Sequence, residues 1–430
     1  DHSRPRTPRS GAFRGGGYVA HDCLPSMNPI LRNPCLASLI GLGWAALAAS
    51  AQTPPPATFT HVISTAADSV TVDFVLRSIR SPNFGVIVQQ ADGSYANHTA
   101  DVPRTYLGTV RGRPGALAGA LLRANGTVWA QVVFDTGAAW TTKGGTAQAI
   151  ATGGSSPLWT EQLVGEGGLG STVYAVETGL DIAYSHFVAA GGTPQGALDS
   201  AEFSLIAANL PYLRDAGIEN RLGKIVIRAQ RPHDPYVADG TDKSALLQRV
   251  RALWTAGDPM GTTHHLAALI HRDLNGGLAY GGYSGVIGTS LAYAAVDSDN
   301  GEFWRVWRHE AGHNWGSGHT EGGARTEGDT IMSGDNALSH FSSAELVKIV
   351  GHRNQQAALF QNLGTYPLPL PPRANLDTAS FHRNTPVMID VLRNDSDMNG
   401  EALILVTSNL TTTLGGSVTR LEGAGPGGRA

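Results

Sequence analysis

The chain has 430 residues, a formal net charge of −4, 41% hydrophobic residues and 15% charged residues. That length suits one large or two ordinary domains with a sizeable core, and the composition is too apolar and too lightly charged for overall disorder. The slight acidity argues against a nucleic-acid partner, which needs a basic face.

Residues 1–26 have neither helical nor strand period and read as a segment upstream of the native start. The first methionine is Met27. Arg32 then supplies a positive start, and Leu36 to Leu47 an apolar run too short for a comfortable membrane span. Ala49-Ser50-Ala51 follows with small residues in a cleavage pattern. Residues 27–51 therefore read as a secretory signal peptide, with no stable membrane insertion after its removal. Both cysteines, Cys23 and Cys35, precede the cut. A thiol-free exported chain fits a bacterial protein that is secreted, periplasmic or on the cell surface.

Residues 58–150 alternate apolar and polar positions, as in Val70, Val72, Phe74 and Leu76, and again near Val86 to Val88. Period two between Gly, Pro and Asn predicts a β-rich region. Residues 141–171, rich in Gly, Thr and Ser, read as a boundary. Residues 172–365 follow as a mixed α/β unit. Strands are expected at Val173 to Val176, Lys224 to Ala229 and Leu291 to Val296. Helices are expected at Ile182 to Ala190, Ala197 to Leu213, Asp242 to Trp254, Glu302 to Trp315 and Ser342 to Val350. Asp242 is a candidate N-cap, and Ser342 with Glu345 has capping-box spacing. Residues 366–374 form a Pro-rich linker. Residues 375–430 hold two strand-like runs, Pro386 to Leu392 and Glu401 to Val406, resembling part of a cadherin-like or immunoglobulin-like β-sandwich.

The strongest signal is His309-Glu310-Ala311-Gly312-His313 followed by Gly316 and His319. On a helix, residues four apart leave the same face one turn apart, which suits two imidazoles on one zinc ion. Gly316 can end the helix with positive φ and swing His319 in as the third ligand. Three protein ligands leave a fourth position open, as a catalytic zinc requires. Glu310, beside the first ligand, is the candidate general base.

His309 to His319 resembles the extended zinc signature of the metzincin metallopeptidases, and Thr330-Ile331-Met332-Ser333-Gly334 is similar to their Met-turn. Within the clan the chain resembles the adamalysin or reprolysin family. Gly277-Leu278-Ala279-Tyr280, Phe341-Ser342 and Leu210-Pro211-Tyr212-Leu213-Arg214-Asp215-Ala216-Gly217-Ile218 carry that likeness, over roughly residues 172–362. Tyr106-Leu107-Gly108-Thr109-Val110 is similar to the family's propeptide. The resemblance implies a mixed-sheet zinc endopeptidase made as a zymogen, with Met332 as a packing floor beneath the metal. It also implies an extended peptide substrate lying along an edge strand, placed here near Thr289 to Val296. Two departures stand out. Thr320 follows the third histidine where the family carries an acidic residue, and is similar in this to the pappalysin branch. The cysteine by which such propeptides cap the zinc is missing, so inhibition by residues 58–150 would need either cover of the cleft or a carboxylate or histidine on the metal, with Asp101 and His98 nominal candidates.

Other clusters have plainer readings. His264, His265 and His271 lack a carboxylate or cysteine to complete a metal set and read as a polar edge. Trp304, Trp307 and Trp315 read as packing against the sheet. Asp395 to Gly400 looks like the first half of a calcium loop. Position 406 is Val where a bidentate Glu is expected, so a hairpin turn is the first reading and Ca²⁺ the alternative. Two functional rivals to the endopeptidase are an adhesion module with a vestigial metal site and a zinc hydrolase acting on another substrate class.

Overall fold

The structure is a computed structural model. It describes residues 54–151, 170–319 and 330–421, except 258, 260–263, 300, 334–338, 373, 375–376, 378, 406–410 and 413. The expected segments 1–26 and 27–51, and Thr320, lie outside the described residues.

The first part of the chain forms β1 (Thr58–Ser64), β2 (Ser69–Leu76), β3 (Arg80–Gln89), β4 (Tyr95–His98), β5 (Thr105–Val110), β6 (Leu117–Leu122), β7 (Val128–Val133), β8 (Ala139–Thr142) and β9 (Gln148–Ala151). Seven of these make an antiparallel sheet in the order β1-β2-β5-β6-β7-β8-β9. The hairpin β3–β4 leaves it and joins a second sheet. Alternation finds such strands but says nothing of which sheet each one enters.

Beyond that come β10 (Tyr174–Ile182), α1 (Tyr184–Ala189), α2 (Pro194–Ala216), β11 (Ile218–Ile227), α3 (Lys243–Ala256), β12 (Leu266–Arg272), β13 (Gly277–Ala279), β14 (Tyr293–Ser298), α4 (Trp304–Asn314), α5 (Ser343–Gln355) and β15 (Gln361–Asn362). The second sheet runs β13-β14-β12-β10-β11-β3-β4, with β15 also on β10. Strands β14, β12, β10, β11 and β3 are parallel, while β13 and β4 pair antiparallel at its two ends. Both faces are covered, so β12 reads as a near-continuous apolar run from Leu266 to Ile270, and β10 is buried from Ala175 to Ile182 although it carries Glu177, Thr178 and Asp181.

Helix α2 begins at the Thr193 cap, whose hydroxyl accepts the Gly196 amide, with Pro194 in the first turn. It ends at Gly217, in the left-handed conformation. Every residue from Ala197 to Ala216 is buried. One side of the helix packs on the second sheet and α4, and the other on β5, β6 and β7. A Cβ at Gly119 of β6 would stand 3.1 Å from the Ile206 side chain and 3.2 Å from its carbonyl. Helix α3, capped by Asp242 as the sequence predicts, lays Trp254 over Gly179 on the opposite face of the second sheet, where a Cβ at Gly179 would overlap the indole.

The end of the chain departs from expectation. No strand forms at Pro386 to Leu392 or in the described part of Glu401 to Val406. Among the described residues nothing pairs with these runs, and Val387, Met388, Ile389 and Ile404 stay exposed. An alternating pattern makes a strand only when a neighbour supplies the ladder. The Pro-rich segment is not a free spacer either, since Tyr366, Leu368 and Leu370 are buried. Asn399 ties it down. Its Oδ1 accepts the Leu370 amide at 2.9 Å, and its Nδ2 donates to the carbonyls of Leu368 (2.8 Å) and Tyr366 (3.3 Å). In the suspected calcium loop, Asp397 turns one carboxylate oxygen to the amides of Asn399 and Glu401, as an Asx turn does.

Candidate metal centre

Helix α4 is set by its apolar face. Trp304, Trp307 and Ala311 are buried, as is Trp315 just beyond its end, and the Tyr212 hydroxyl of α2 donates to the Arg308 carbonyl at 2.7 Å. Asn314 secures the far end by donating to the carbonyls of Tyr280 and Tyr293 at 2.7 and 3.1 Å. His309 and His313 thus face one way, toward the end of the sheet that carries β13.

Past the helix the chain reverses. Gly316 has φ 94°, and a Cβ there would come within 2.6 Å of the Gly285 nitrogen. This turn brings His319 back. The Nε2 atoms of His309, His313 and His319 then lie 3.1 Å from one another in all three pairs. Backbone carbonyls fix two of the rings. His309 Nδ1 lies 2.7 Å from the Ile331 oxygen and His313 Nδ1 2.8 Å from the Ser317 oxygen. A carbonyl can only accept, so both Nδ1 atoms carry the proton and both Nε2 atoms present lone pairs. Lone pairs facing each other at that distance call for a cation between them. Three nitrogens about 2.0–2.1 Å from a tetrahedral zinc would be spaced by roughly 3.3 Å, so the donor set fits the ion.

Met332 is fully buried beneath α4, where any Cβ at Gly312 would overlap its sulfur. Thr330 holds the turn. Its amide donates to the Ser333 hydroxyl at 2.7 Å, and its hydroxyl donates to Glu345 at 2.7 Å. Glu345 also closes the capping box of α5 with Ser342. The turn thereby presents the Ile331 carbonyl to His309.

Glu310 is 4% exposed. Burial pushes its carboxyl up to about 8, against the pull of Lys243. The carboxylate lies against Gly277 of β13, where a Cβ would stand 2.5 Å from Cγ and 2.6 Å from Oε1. His309 is buried, whereas His319 is exposed, so the centre opens on the His319 side. There the ring of Tyr283, 76% exposed, rests on Gly318, where a Cβ would overlap the ring as it is placed.

Several expected placements change. Strand β14 cannot be the open edge at Thr289 to Val296, because it pairs with β12 on one side and β13 on the other. The edge beside the histidines is β13. His98 ends β4, at the opposite end of the sheet, six interstrand spacings or roughly 29 Å away. Asp101 follows it and gives its carbonyl to Arg80. Neither residue stands at the centre. His265 accepts the Glu177 amide at 3.0 Å, His264 meets the Tyr293 hydroxyl at 3.1 Å, and His271 meets the Arg272 carbonyl at 2.5 Å. Among the described residues, only His309, His313 and His319 group closely enough to share a metal. The orienting carbonyls, Asn314 and Tyr283 carried no sequence signal. A glycine within a strand pattern, such as Gly277, does mark a close approach.

Residues 199–343 match the family model Reprolysin_5, Metallo-peptidase family M12. The matched stretch contains the three histidines, Glu310, β13 and the Met332 turn. No curated protein matches the chain. Among solved structures it is similar to metalloproteinase-II from Bacteroides fragilis, at 12% identity over 69% of this chain and 92% of that one, with a TM-score of 0.34, below the level of a shared fold. On the family match, the segment that builds the three-histidine centre is metzincin-like.

Proposed function

We propose that this protein is a secreted zinc endopeptidase. The observation that supports this best is the convergence of three imidazole Nε2 atoms beside a buried carboxylate, below a sheet edge that is unpaired among the described residues. His309, His313 and His319 would hold the ion. When bound, zinc supplies Lewis-acid chemistry, acidifying water and polarising a carbonyl. Glu310 takes the proton of the attacking water and hands it to the leaving amine, which needs a carboxyl able to carry a proton near neutral pH. An extended peptide adds antiparallel to β13, binding through its backbone with little demand on sequence. Tyr283 flanks that path with an aromatic face.

The test is cleavage of casein by the purified protein, with and without a chelator, alongside Glu310→Gln. Zinc should remain in the variant at about one ion per chain while turnover falls by at least 100-fold. Casein cleavage by the variant at the wild-type rate would remove Glu310 from the role of base. Full zinc occupancy with no cleavage of any protein by the wild type would favour the vestigial or small-substrate readings. Secretion is read from the amino-terminal sequence of the product in the culture medium, which should begin just after Ala51.

A further inference from the structure

We infer that residues 54–151 are a permanent part of the peptidase unit and not a removable inhibitory segment. The inference rests on the endopeptidase reading only for its consequence, since its basis is how the two halves of the chain are joined.

The joint is a sheet. Strand β3 pairs parallel with β11 through Gly85, Val86, Ile87 and Val88 against Lys224 to Ile227. The hairpin then carries polar groups into the interior of the other half. Arg228, at the end of β11, makes a two-pronged contact with Asp181 of β10 at 2.9 and 2.7 Å, and also donates to the Tyr95 hydroxyl of β4. Asp181 further accepts from Tyr236 and Trp254 at 2.7 and 2.9 Å. Gln89 of β3 adds to this by donating to the His233 carbonyl and the Tyr95 hydroxyl. Loss of Tyr95 and Gln89 would strip partners from this network, and a buried polar group left unpaired is costly.

The second joint is α2. Every residue from Ala197 to Ala216 is buried, so the helix is covered on all sides. Strands β5, β6 and β7 cover the side that the second sheet does not. Ion pairs rim the seam, namely Arg80 with Glu202 at 2.5 Å, Arg123 with Asp199 at 2.8 Å, and Arg77 with Glu219. Arg214, itself buried, donates to the Phe134 carbonyl of the first half and to the Ser339 carbonyl beyond the Met332 turn. Loss of residues 54–151 would uncover the apolar face of α2, the helix on which α4 is seated. It would also take an outer pair of strands from the sheet. The same placement keeps β3 and β4 at the end of the sheet away from β13, where they cannot block the three histidines.

The experiment uses the full chain with a site-specific protease sequence inserted between β9 and β10. After complete nicking, the two pieces should co-elute in native gel filtration at low micromolar concentration and part only in denaturant. Peptide hydrolysis should change by less than about two-fold. Separate elution of the first piece, or a rise in activity of tenfold or more on nicking, would overturn the inference. Should the insertion prevent folding, the unaltered enzyme decides by its intact mass. An active species that retains residues 54–151 supports the inference, and an active species beginning near Tyr174 refutes it. Co-elution does not depend on catalysis, so a nicked, co-eluting but inactive pair would count against the endopeptidase reading and leave this inference standing.

Discussion

Gly277→Ala isolates the packing of Glu310 from everything else at the centre. The residue sits in β13 without positive φ, so alanine meets no backbone strain there and the effect is steric. Its Cβ would lie 2.5 Å from Glu310 Cγ, where ordinary contact begins at 3.4 Å, so the carboxylate must retreat by about 0.9 Å. Displacing a reacting group by about 1 Å can cost about 100-fold in rate, or about 2.7 kcal/mol of transition-state stabilisation. The overpacking itself should lower stability by about 1–3 kcal/mol, so kcat/KM is measured well below the variant's melting temperature. Zinc content should be unchanged, because the three imidazoles are not touched. In a Glu310→Gln background the same substitution should cost less than about threefold, since groups acting as one unit are not additive. A Gly277→Ala enzyme with normal zinc and a kcat/KM within twofold of wild type would refute the reasoning.

His313→Ala should lose most bound zinc by metal analysis, and unchanged zinc would remove His313 as a ligand. Tyr283→Ala should keep zinc and kcat while raising KM severalfold for an extended peptide; an unchanged KM would place the substrate elsewhere. His186 offers a pH test away from the metal. It is buried against the Ser200 hydroxyl at 3.0 Å, and burial, with Lys143 and His271, pulls its pKa from 6.5 to about 3. The unfolded chain therefore binds a proton below pH 6.5 that the folded chain refuses, so this stabilisation is complete above 6.5 and drains away as pH falls toward 3. Between pH 6.5 and 5 the loss is about 2 kcal/mol, and His186→Gln should remove that part of the slope in urea unfolding. Parallel slopes for the two proteins would show that His186 does not carry it. Asn399→Ala should lower the unfolding free energy by about 1–3 kcal/mol by leaving buried backbone groups of the 366–370 segment unpaired, with kcat unchanged; an unaltered midpoint would mean that the tie is not formed.

The metal centre was legible because helical geometry converts sequence spacing directly into space. His309 and His313 need only α4 to stand together, and Gly316 with His319 needs only one reversal of the chain. What orients them was not legible. The carbonyls of Ile331 and Ser317 set the two tautomers, and every residue has a carbonyl, so no residue type announces the role. The open edge was misplaced for a related reason. Leu291 to Val296 has the stronger strand pattern, but a stronger pattern signals a more buried strand, and β14 is interior. The true edge, β13, is three residues long and contains a glycine, both features that weaken a strand in sequence while suiting an exposed edge beside a carboxylate.

The partition of the chain shows the same limit from the other side. The sequence pattern near Val86 to Val88 marked β3 but could not assign it to a sheet, because pairing across more than 130 residues leaves no local trace. One local trace did exist. From Ala197 to Ala216 the polar residues Asp199, Ser200, Glu202, Ser204, Asn209, Arg214 and Asp215 are spread around the helix, so no single polar stripe forms. A helix on the surface of a two-layer α/β unit would show one. Its absence implies a third layer over α2, and the β-rich stretch nearest to it in the chain is residues 58–150. Read in that way, the sequence of α2 already argues that the first sheet is built onto the second half. The two sheets with α2 between them are the structural answer to a helix that neither half could bury alone.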